Sequence, residues 1–402
     1  MSRHGYKIFS EAQVGNLRLR NRLVRSGTWD VSVVTSGKVS NQVLDLYREL
    51  ALGGVGVIIT GDFPVMPTGM YDGEQLGTRS FSYDEIRIQG IHKLPKVVHD
   101  TAPDCKIMAQ LSRGHPGPGP SDVPSPFQRE RTRPLTAEEI HTIVESFADA
   151  VWRMRDEGFD GVQLHAAHGS LLSRFLSPHT NHRDDAYGGS AQRRARILRE
   201  IVSAAREKAQ GLPIWIKMNC TDYIEGGTDI ETFPQLARQV QDAGVDAIEI
   251  SGGMWDCLVR SEEQLGFRPV PAPESHTRIR APQKQSYFLE YAERLDVQVP
   301  VILVGGNRDV ERLEEIIHHG KVDLISLCRP LISEPHLPRR WLEGTGKSTA
   351  DCISCNSCLY DMYMHLQRSE PWIANCLFKR DRRQVKAAQR WLSNWVQKNV
   401  VC

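Results

Sequence analysis

The sequence predicts an α/β protein that folds as a (β/α)8 TIM barrel and carries a small C-terminal helical extension that contains cysteines. Two observations predict the barrel: eight short apolar runs recur along the 402 residues, and most are followed by a segment with helical periodicity. Continuous Val, Ile and Leu runs are typical of parallel strands buried on both faces. Because no G-x-G-x-x-G motif follows the first run, the competing doubly wound sheet is less favoured.

The strands and helices are placed from these patterns. The predicted strands are 22–27, 55–60, 106–111, 161–166, 214–219, 247–252, 301–306 and 324–329. The predicted helices are a segment that begins near 134, then 192–210, 231–244 and 309–320. In the first helix Thr136 and Glu139 have the spacing of a capping box, and Gly158 is expected to end it. The segment 8–21 is expected to form a hairpin that closes the bottom of the barrel.

The chain is expected to have two parts, a barrel domain over 1–345 and a cysteine-rich extension over 346–402, joined through a linker at 343–351. A final helix in the extension has one apolar stripe, formed by Val385, Ala388, Trp391, Leu392 and Trp395. Two long loops, 112–133 and 254–284, follow the C-terminal ends of predicted strands. Barrel active sites lie at these ends, so we expect the loops to shape a binding pocket.

Composition limits the classes of partner. The formal net charge is +1, with 25% charged and 40% hydrophobic residues, so no broad basic surface for nucleic acid or an anionic membrane is expected. No apolar run approaches the roughly 18 to 20 residues of a membrane span, and the first residues lack the apolar stretch of a signal peptide. We therefore expect a cytoplasmic protein that acts on a small molecule. A homo-oligomer is left open.

Polar residues at strand ends are the candidates for chemistry. His165 and His168 lie three residues apart at the end of the fourth strand, where two imidazoles can hold a carbonyl oxygen, bind a metal or transfer protons. A structural role in the turn is the alternative. Lys217 is flanked by apolar residues on the fifth strand, and a buried lysine must be paired, deprotonated or bound to a ligand. It is a candidate Schiff-base nucleophile, a cation for an anionic cofactor edge, or a member of a core salt bridge.

A phosphate site is predicted after the last two strands. Gly305, Gly306 and Asn307 end the seventh strand, and Cys328 and Arg329 end the eighth. Loops at these places often bind phosphate in barrels, because glycines expose backbone N–H groups and arginine binds phosphate through two N–H donors. A tight turn with a surface arginine is the alternative.

Two further features concern single residues and the cysteines. Gln110 ends the third strand and is able to pair with a heterocycle through its amide.

Nine cysteines occur, five of them in the last 51 residues: Cys352, Cys355, Cys358, Cys376 and Cys402. In a cytosolic protein such clustering indicates a metal or redox element and not a disulfide framework.

Several of these segments together resemble the Old Yellow Enzyme family, FMN-dependent oxidoreductases that reduce activated C=C bonds with NAD(P)H. The central match is VQLHAAHGSLLSRFLSPHTNHRDDAYGGSAQRRARILREIV at 162–202. The resemblance covers most of the chain in the right order. Its other segments are NRLVRSGTW (21–29), GGVGVIITG (53–61), MAQL (108–111), WIKMN (215–219), YFLEYAERL (287–295), VILVGGNRDVE (301–311) and SLCRPLISEP (326–335).

The resemblance implies roles for individual residues. Lys217 would stabilise the reduced flavin beside N1 and O2, and Gln110 would pair with the pyrimidine edge. His165 and His168 would hold the carbonyl oxygen of the substrate. The remaining contacts to FMN would come from Ser26, Gly27 and Thr28 at the ring, Trp29 near O4, Gly61 and Asp62 through the backbone, and Gly306, Asn307 and Arg329 at the phosphate.

The sequence departs from the family at the proton donor. Many members read HAAHGY, where the tyrosine protonates the substrate α-carbon, but this chain has Ser170 at that position. A serine hydroxyl is far less acidic, so water or another tyrosine such as Tyr71 would have to substitute.

The cysteines form the second departure. Cys352, Cys355, Cys358 and Cys376 resemble the four-cysteine [4Fe–4S] site of the dienoyl-CoA reductase branch, although their spacing differs by a residue or more. Iron–sulfur ligation, zinc ligation and a metal-free subdomain are the readings left open. In that branch flavin and nucleotide domains follow the cluster. They are not among the 402 residues, so we expect a cluster here to lack that electron route.

The sequence thus predicts an FMN-dependent NAD(P)H oxidoreductase that reduces the C=C bond of an α,β-unsaturated carbonyl. The alternatives are a flavin-free barrel lyase that uses Lys217 as a Schiff base, and an FMN-binding protein with only slow NAD(P)H oxidase activity.

Overall fold

The predicted barrel is confirmed in a computed structural model, which describes residues 2–29, 33, 36–65, 88–114, 117–124, 133–268, 271–368 and 370–394. Eight parallel strands close in the order β10-β3-β4-β5-β6-β7-β8-β9. A separate hairpin precedes them, formed by β1 (Ala12–Val14) and β2 (Leu17–Leu19). The barrel strands are β3 (Leu23–Arg25), β4 (Val57–Pro64), β5 (Lys106–Ser112), β6 (Gly161–Ala166), β7 (Ile214–Thr221), β8 (Ala247–Gly252), β9 (Val301–Leu303) and β10 (Leu324–Leu327).

The barrel interior has an apolar lower layer. Trp215, Met108 and Ile302 point inward and pack with the apolar side chains of the β1–β2 hairpin, including Val14 and Leu19. The hairpin therefore closes the bottom of the barrel, as predicted from 8–21. The outward-facing strand residues pack against the surrounding helices in a second, larger core.

Helices follow most barrel strands and cover the outside of the barrel. They are α1 (Asn41–Leu52), α2 (Lys93–Thr101), α3 (Ala137–Asp156), α4 (Leu171–Leu176), α5 (Ala191–Arg194), α6 (Arg196–Lys208), α7 (Phe233–Gln241), α8 (Glu262–Leu265), α9 (Leu289–Glu293), α10 (Val310–His319), α11 (Arg329–Ser333) and α12 (Leu337–Glu343). Short 3-10 turns lie at Lys7–Phe9, Trp255–Val259 and Pro282–Lys284. Both hydrogen bonds of the predicted capping box are present between Thr136 and Glu139. The single helix predicted over 192–210 is two helices, α5 and α6, which meet at Ala195.

The C-terminal extension is helical, as predicted. It consists of α13 (Ser357–Gln367), α14 (Leu377–Arg380) and α15 (Arg382–Ser393). Within the predicted stripe of α15, Val385, Ala388 and Leu392 are buried, whereas Trp395 lies outside the described residues. No helix in the described part of the chain is long and apolar enough to cross a membrane.

Candidate active site

A cavity of about 540 Å³ opens at the C-terminal mouth of the barrel. It brings together nearly all of the residues predicted from the sequence, from strands that are far apart in the chain. Gly61 is not among the described residues that line it, and its carbonyl accepts a hydrogen bond from Thr60. The predicted residues that line the cavity are Ser26, Gly27, Thr28, Trp29, Asp62, Gln110, His165, His168, Ser170, Lys217, Gly305, Gly306, Asn307, Cys328 and Arg329.

A continuous polar network forms the floor of the cavity. Lys217 Nζ donates to Ser26 Oγ at 2.7 Å and lies 3.3 Å from Glu249 Oε1. Gln163 Nε2 donates to Glu249 Oε2 at 2.7 Å, and Gln110 Nε2 donates to Gln163 Oε1 at 2.7 Å. Sequence reasoning missed Gln163 and Glu249. The signal was available, because both are polar residues inside apolar strand runs, just as Lys217 is.

His165 and His168 lie side by side above this network, with ring centroids 5.2 Å apart in an edge-to-face arrangement. His168 has a left-handed backbone, with φ of 58°, and its Nε2 pairs with Ser251 Oγ at 2.7 Å. Burial, with the nearby Lys217 charge, lowers the pKa of His165 to about 3. Burial and the charges of His165 and Lys217 also lower the pKa of His168 well below its usual value. Both rings are therefore neutral near pH 7, and each is able to donate one N–H.

Ser170 occupies the position at which the resembling family has a tyrosine, and its hydroxyl is already engaged. Ser170 Oγ donates to the backbone carbonyl of His165 at 2.7 Å. The side chain is buried and precedes α4. This contact ties the turn after β6 to the strand, a structural role that needs no acidity.

The backbone after β9 forms a turn with two glycines, here called the glycine cradle, at the place where a phosphate site was predicted. Gly305 and Gly306 have positive φ angles of 103° and 75°. A Cβ atom on Gly305 would lie 2.6 Å from the Phe288 ring, and one on Gly306 would lie 2.8 Å from the Tyr287 ring. Only glycine fits this conformation and this space.

Two arginines line the cavity beside that cradle. Arg329 was predicted, and its Nη1 donates to the His276 carbonyl at 2.9 Å and to Asn356 Oδ1 at 2.6 Å. Arg308 was missed, although it directly follows Asn307 in the sequence. Its guanidinium is buried, and Nη1 has no hydrogen-bond partner among the described residues.

Unpaired polar atoms show that the cavity suits a polar ligand. Ser112 Oγ, His165 Nδ1, Arg308 Nη1 and Ser326 Oγ belong to cavity-lining residues, and none has a hydrogen-bond partner in the described part of the chain. A buried polar group without a partner costs about 1–3 kcal/mol. A ligand with a phosphate and several hydrogen-bonding edges, such as FMN, would satisfy groups of this kind.

The extension supplies one wall of the cavity, which the sequence did not reveal. Leu359, Met362 and Tyr363 of α13 line it together with Trp372. Trp372 is held by a 2.9 Å hydrogen bond from Nε1 to Asp361 Oδ2. The division of the chain at 345 and 346 remains a prediction, but residues on both sides of it line one cavity.

The cysteines lie next to this wall. Cys352, Cys355, Cys358 and Cys376 surround a second, smaller cavity, and Cys352 and Cys358 also line the large one. Within the described residues, no group of three or more His, Cys, Asp or Glu side chains is arranged to hold a metal ion.

Glu274 was also missed. It belongs to the long loop after β8 and lines the cavity, where burial raises its carboxyl pKa despite the opposing charges of Lys217 and Arg329. The predicted loop 254–284 thus does contribute to the pocket.

A closed parallel barrel is also the fold of an Old Yellow Enzyme homologue from Zymomonas mobilis, which aligns with a TM-score of 0.66 at 20% identity, over 86% of this chain and 95% of that one. The chain belongs to the NADH:flavin oxidoreductase / NADH oxidase family, whose sequence model matches residues 7–347. FMN and NAD(P)H are the cofactors that this family implies, and the glycine cradle and unpaired polar atoms fit the first of them.

Several known proteins are similar to the chain. It is 34% identical to an NADH oxidase from Thermoanaerobacter brockii over 88% of its length, and 31% identical to an NADPH dehydrogenase from Bacillus subtilis over 83%. It spans 53% of the first relative and 93% of the second. A solved 2-naphthoyl-CoA reductase aligns with a TM-score of 0.75 at 24% identity, over 95% of this chain and 58% of that one. Morphinone reductase aligns with a TM-score of 0.63 at 22% identity, over 87% and 92%. These two structures support the fold.

Gly27 leaves room for the Gln110 amide, and this requirement is testable. A Cβ atom at Gly27 would lie 2.5 Å from Gln110 Nε2, so Gly27→Ala should displace the amide. We expect FMN binding to weaken by about tenfold, equivalent to ~1.4 kcal/mol, near the upper range for one neutral hydrogen bond. Fluorescence titration of the apoprotein with FMN measures the change. Gly114→Ala is the matched control, because Gly114 lines the same cavity and a Cβ there meets nothing within 4 Å. Equal affinities for the two variants would contradict the assignment.

Proposed function

We propose that the chain is an FMN-dependent NAD(P)H oxidoreductase that reduces the C=C bond of an α,β-unsaturated carbonyl compound. The observation that carries this proposal is the pair of neutral, adjacent imidazoles of His165 and His168 above the floor that contains Lys217. Two neutral imidazoles side by side in one cavity suit a carbonyl oxygen that gains negative charge during the reaction.

When bound, FMN supplies the hydride chemistry, taking a hydride from NAD(P)H and passing one to the substrate β-carbon. The protein binds and orients the reactants. His165 and His168 would donate to the carbonyl oxygen, with His168 held in place by Ser251. The Lys217 ammonium would stabilise negative charge at the near edge of the cofactor. Arg308, Arg329 and the glycine cradle would hold its phosphate.

The proton for the α-carbon would not come from Ser170, whose hydroxyl donates to the His165 carbonyl. Tyr71, considered as a substitute, lies outside the described residues. Glu274 and Tyr363 are ionisable groups that do line the cavity. Water that enters the cavity is the simplest source.

The contacts of Lys217 argue against a Schiff-base lyase. Its Nζ donates to Ser26 Oγ and lies 3.3 Å from the Glu249 carboxylate. Such contacts suit an ammonium ion, whereas a Schiff-base nucleophile must be a free amine.

In the slow-oxidase alternative the electron acceptor would be oxygen in place of an enone. One relative is named NADH oxidase. Faster reoxidation of the reduced enzyme by an enone than by air would separate the two functions.

We also propose that Cys352, Cys355, Cys358 and Cys376 hold an iron–sulfur cluster in preference to zinc. Support comes from the common cavity that these thiols line and from their resemblance to a four-cysteine [4Fe–4S] site. Protein purified without oxygen should contain iron and acid-labile sulfide, and Cys355→Ala should lose both. Cys105→Ala is the control, since Cys105 is buried away from this cavity. Stoichiometric zinc, or no metal at all, would overturn the proposal.

The central test separates the two half-reactions. The purified protein should be yellow, with FMN bound in an equimolar amount. His165→Ala and His168→Ala should leave flavin reduction by NAD(P)H within about threefold, ~0.6 kcal/mol, but slow enone reduction by about a hundredfold, ~2.7 kcal/mol. Stopped-flow absorbance of the flavin follows each half-reaction. Enone turnover at the wild-type rate in both variants would make the pair structural.

Repeating this experiment at different pH values tests the protonation state of the two imidazoles. Because the pKa of His165 is lowered to about 3 and that of His168 well below its usual value, both imidazoles stay neutral as the pH falls from 8 to 6. We therefore expect enone binding to show no titration near pH 6.5. A transition there that disappears in His165→Ala or His168→Ala would mean that a protonated imidazole holds the carbonyl.

Ser170→Ala tests the departure at the proton donor. Since the hydroxyl donates to a backbone carbonyl, its removal should slow single-turnover flavin reoxidation less than tenfold, ~1.4 kcal/mol. Ser170→Tyr should accelerate flavin reoxidation if the cavity has room for the tyrosine ring. A fall of about a hundredfold in Ser170→Ala, ~2.7 kcal/mol, would instead show that the serine is essential to the reaction.

A further inference from the structure

A buried carboxylate lies beneath the floor of the cavity, where three polar side chains contact it. Glu249 is fully buried. Its Oε1 accepts from Ser26 Oγ at 2.9 Å and lies 3.3 Å from Lys217 Nζ. Its Oε2 accepts from Gln163 Nε2 at 2.7 Å. Nothing in the proposed reaction requires a carboxylate here, although its charge offsets that of the buried Lys217.

The carboxylate gives the neighbouring amides a direction. An ionised carboxylate only accepts hydrogen bonds, so Gln163 must turn its NH₂ group toward Glu249. Its oxygen then faces Gln110 and accepts from Gln110 Nε2 at 2.7 Å. Gln110 is the last amide of this series. In this orientation its Oε1 and its second N–H remain able to form hydrogen bonds with a ligand in the cavity. Amide orientations are normally ambiguous, but here one acceptor-only group fixes both.

We propose that Glu249 is a positioning residue that fixes which hydrogen-bonding groups Gln110 presents to a bound flavin. The inference rests on the proposed function in that FMN occupies the cavity. The pyrimidine ring of a flavin has an N3–H donor between two carbonyl acceptors. An amide that offers an oxygen and an N–H side by side is complementary to such an edge.

The reversed orientation would lack this complementarity. An amide in place of the Glu249 carboxylate would keep its oxygen toward Ser26 and Lys217, which are donors, and turn its NH₂ toward Gln163. Gln163 would have to reverse to accept it, and Gln110 would reverse in turn. Gln110 would then use its oxygen on Gln163 and present only N–H groups to the cavity, so N3–H would lose its acceptor.

Glu249 has a second, electrostatic effect at the same place. Its negative charge lies 3.3 Å from Lys217 Nζ and offsets that cation. Without the carboxylate, the cavity floor gains a net positive charge. Positive charge beside a flavin favours its reduction, because the ring gains electrons, so the reduction potential should rise.

The experiment uses the FMN-loaded protein and the variant Glu249→Gln. Two quantities are measured: the affinity for FMN relative to FMN methylated at N3, and the midpoint potential of the bound flavin. The wild type should discriminate against the methylated cofactor, which has no N3–H. Glu249→Gln should reduce this discrimination by about tenfold and raise the equilibrium constant for two-electron reduction by about tenfold, about 30 mV.

The matched control exchanges the two side chains, as Glu249→Gln combined with Gln163→Glu. In this double variant the carboxylate at position 163 accepts from Gln110 and from the new amide at position 249. The amide oxygen at 249 still accepts from Ser26 and Lys217. All hydrogen bonds, the net charge and the direction of Gln110 are retained, so discrimination against N3-methylated FMN should return to the wild-type value.

The outcomes are distinct. If the wild type does not bind FMN, the proposed function itself fails. If the wild type binds FMN but Glu249→Gln keeps both its discrimination and its potential, only the role of Glu249 is overturned. If Glu249→Gln does not fold, as judged by circular dichroism, the exchange variant decides. Wild-type discrimination in that variant supports the inference, and its loss in a folded exchange variant overturns it.

Discussion

The ion pair between Lys217 and Glu249 is the interaction on which the upper half of the barrel depends. Parallel register places the two residues opposite each other on β7 and β8, with His165 opposite Lys217 on β6. Leaving one charge of such a buried pair without its partner typically costs 3–5 kcal/mol. The remaining polar side chains of the floor are arranged to complete the hydrogen bonds of this pair. The cavity is therefore polar at its base although it lies directly above a layer of Trp215, Met108 and Ile302.

Burial and charge together determine the state of the two imidazoles. Burial opposes protonation most strongly, and the Lys217 cation beneath them adds to the effect. The two neutral imidazoles, which would hold an oxygen without carrying a charge, are thus a consequence mainly of burial and in part of the same lysine that would stabilise a cofactor. This is electrostatic preorganisation, since the donors are oriented before a ligand arrives.

The barrel and the extension form different parts of the cavity, and the chain topology explains why. The barrel strands place polar side chains at fixed positions at the mouth of the barrel. The walls around that mouth are formed by segments outside the strands. Here α13 and Trp372 cover part of it, and the cysteine cavity shares Arg329 and Cys352 with the large cavity. A change in the extension is thereby able to alter the substrate pocket without disturbing the floor.

The sequence by itself determined the barrel, its strands, the capping box and many of the residues of the mouth. Few other folds accommodate eight apolar strands that alternate with helices. The C-terminal ends of the strands of a parallel barrel lie on one side of it, so residues at those ends come together. It also marked Lys217 as a polar residue in an apolar run, but the equally visible Gln163 and Glu249 were missed, although Gln163 lies within the segment 162–202 that resembles the family. Only the tertiary structure decided that Ser170 donates to a backbone carbonyl, that Arg308 faces the cavity and that α13 forms a wall. Each of these depends on contacts between segments far apart in the chain, and periodicity carries no information about which distant segments meet.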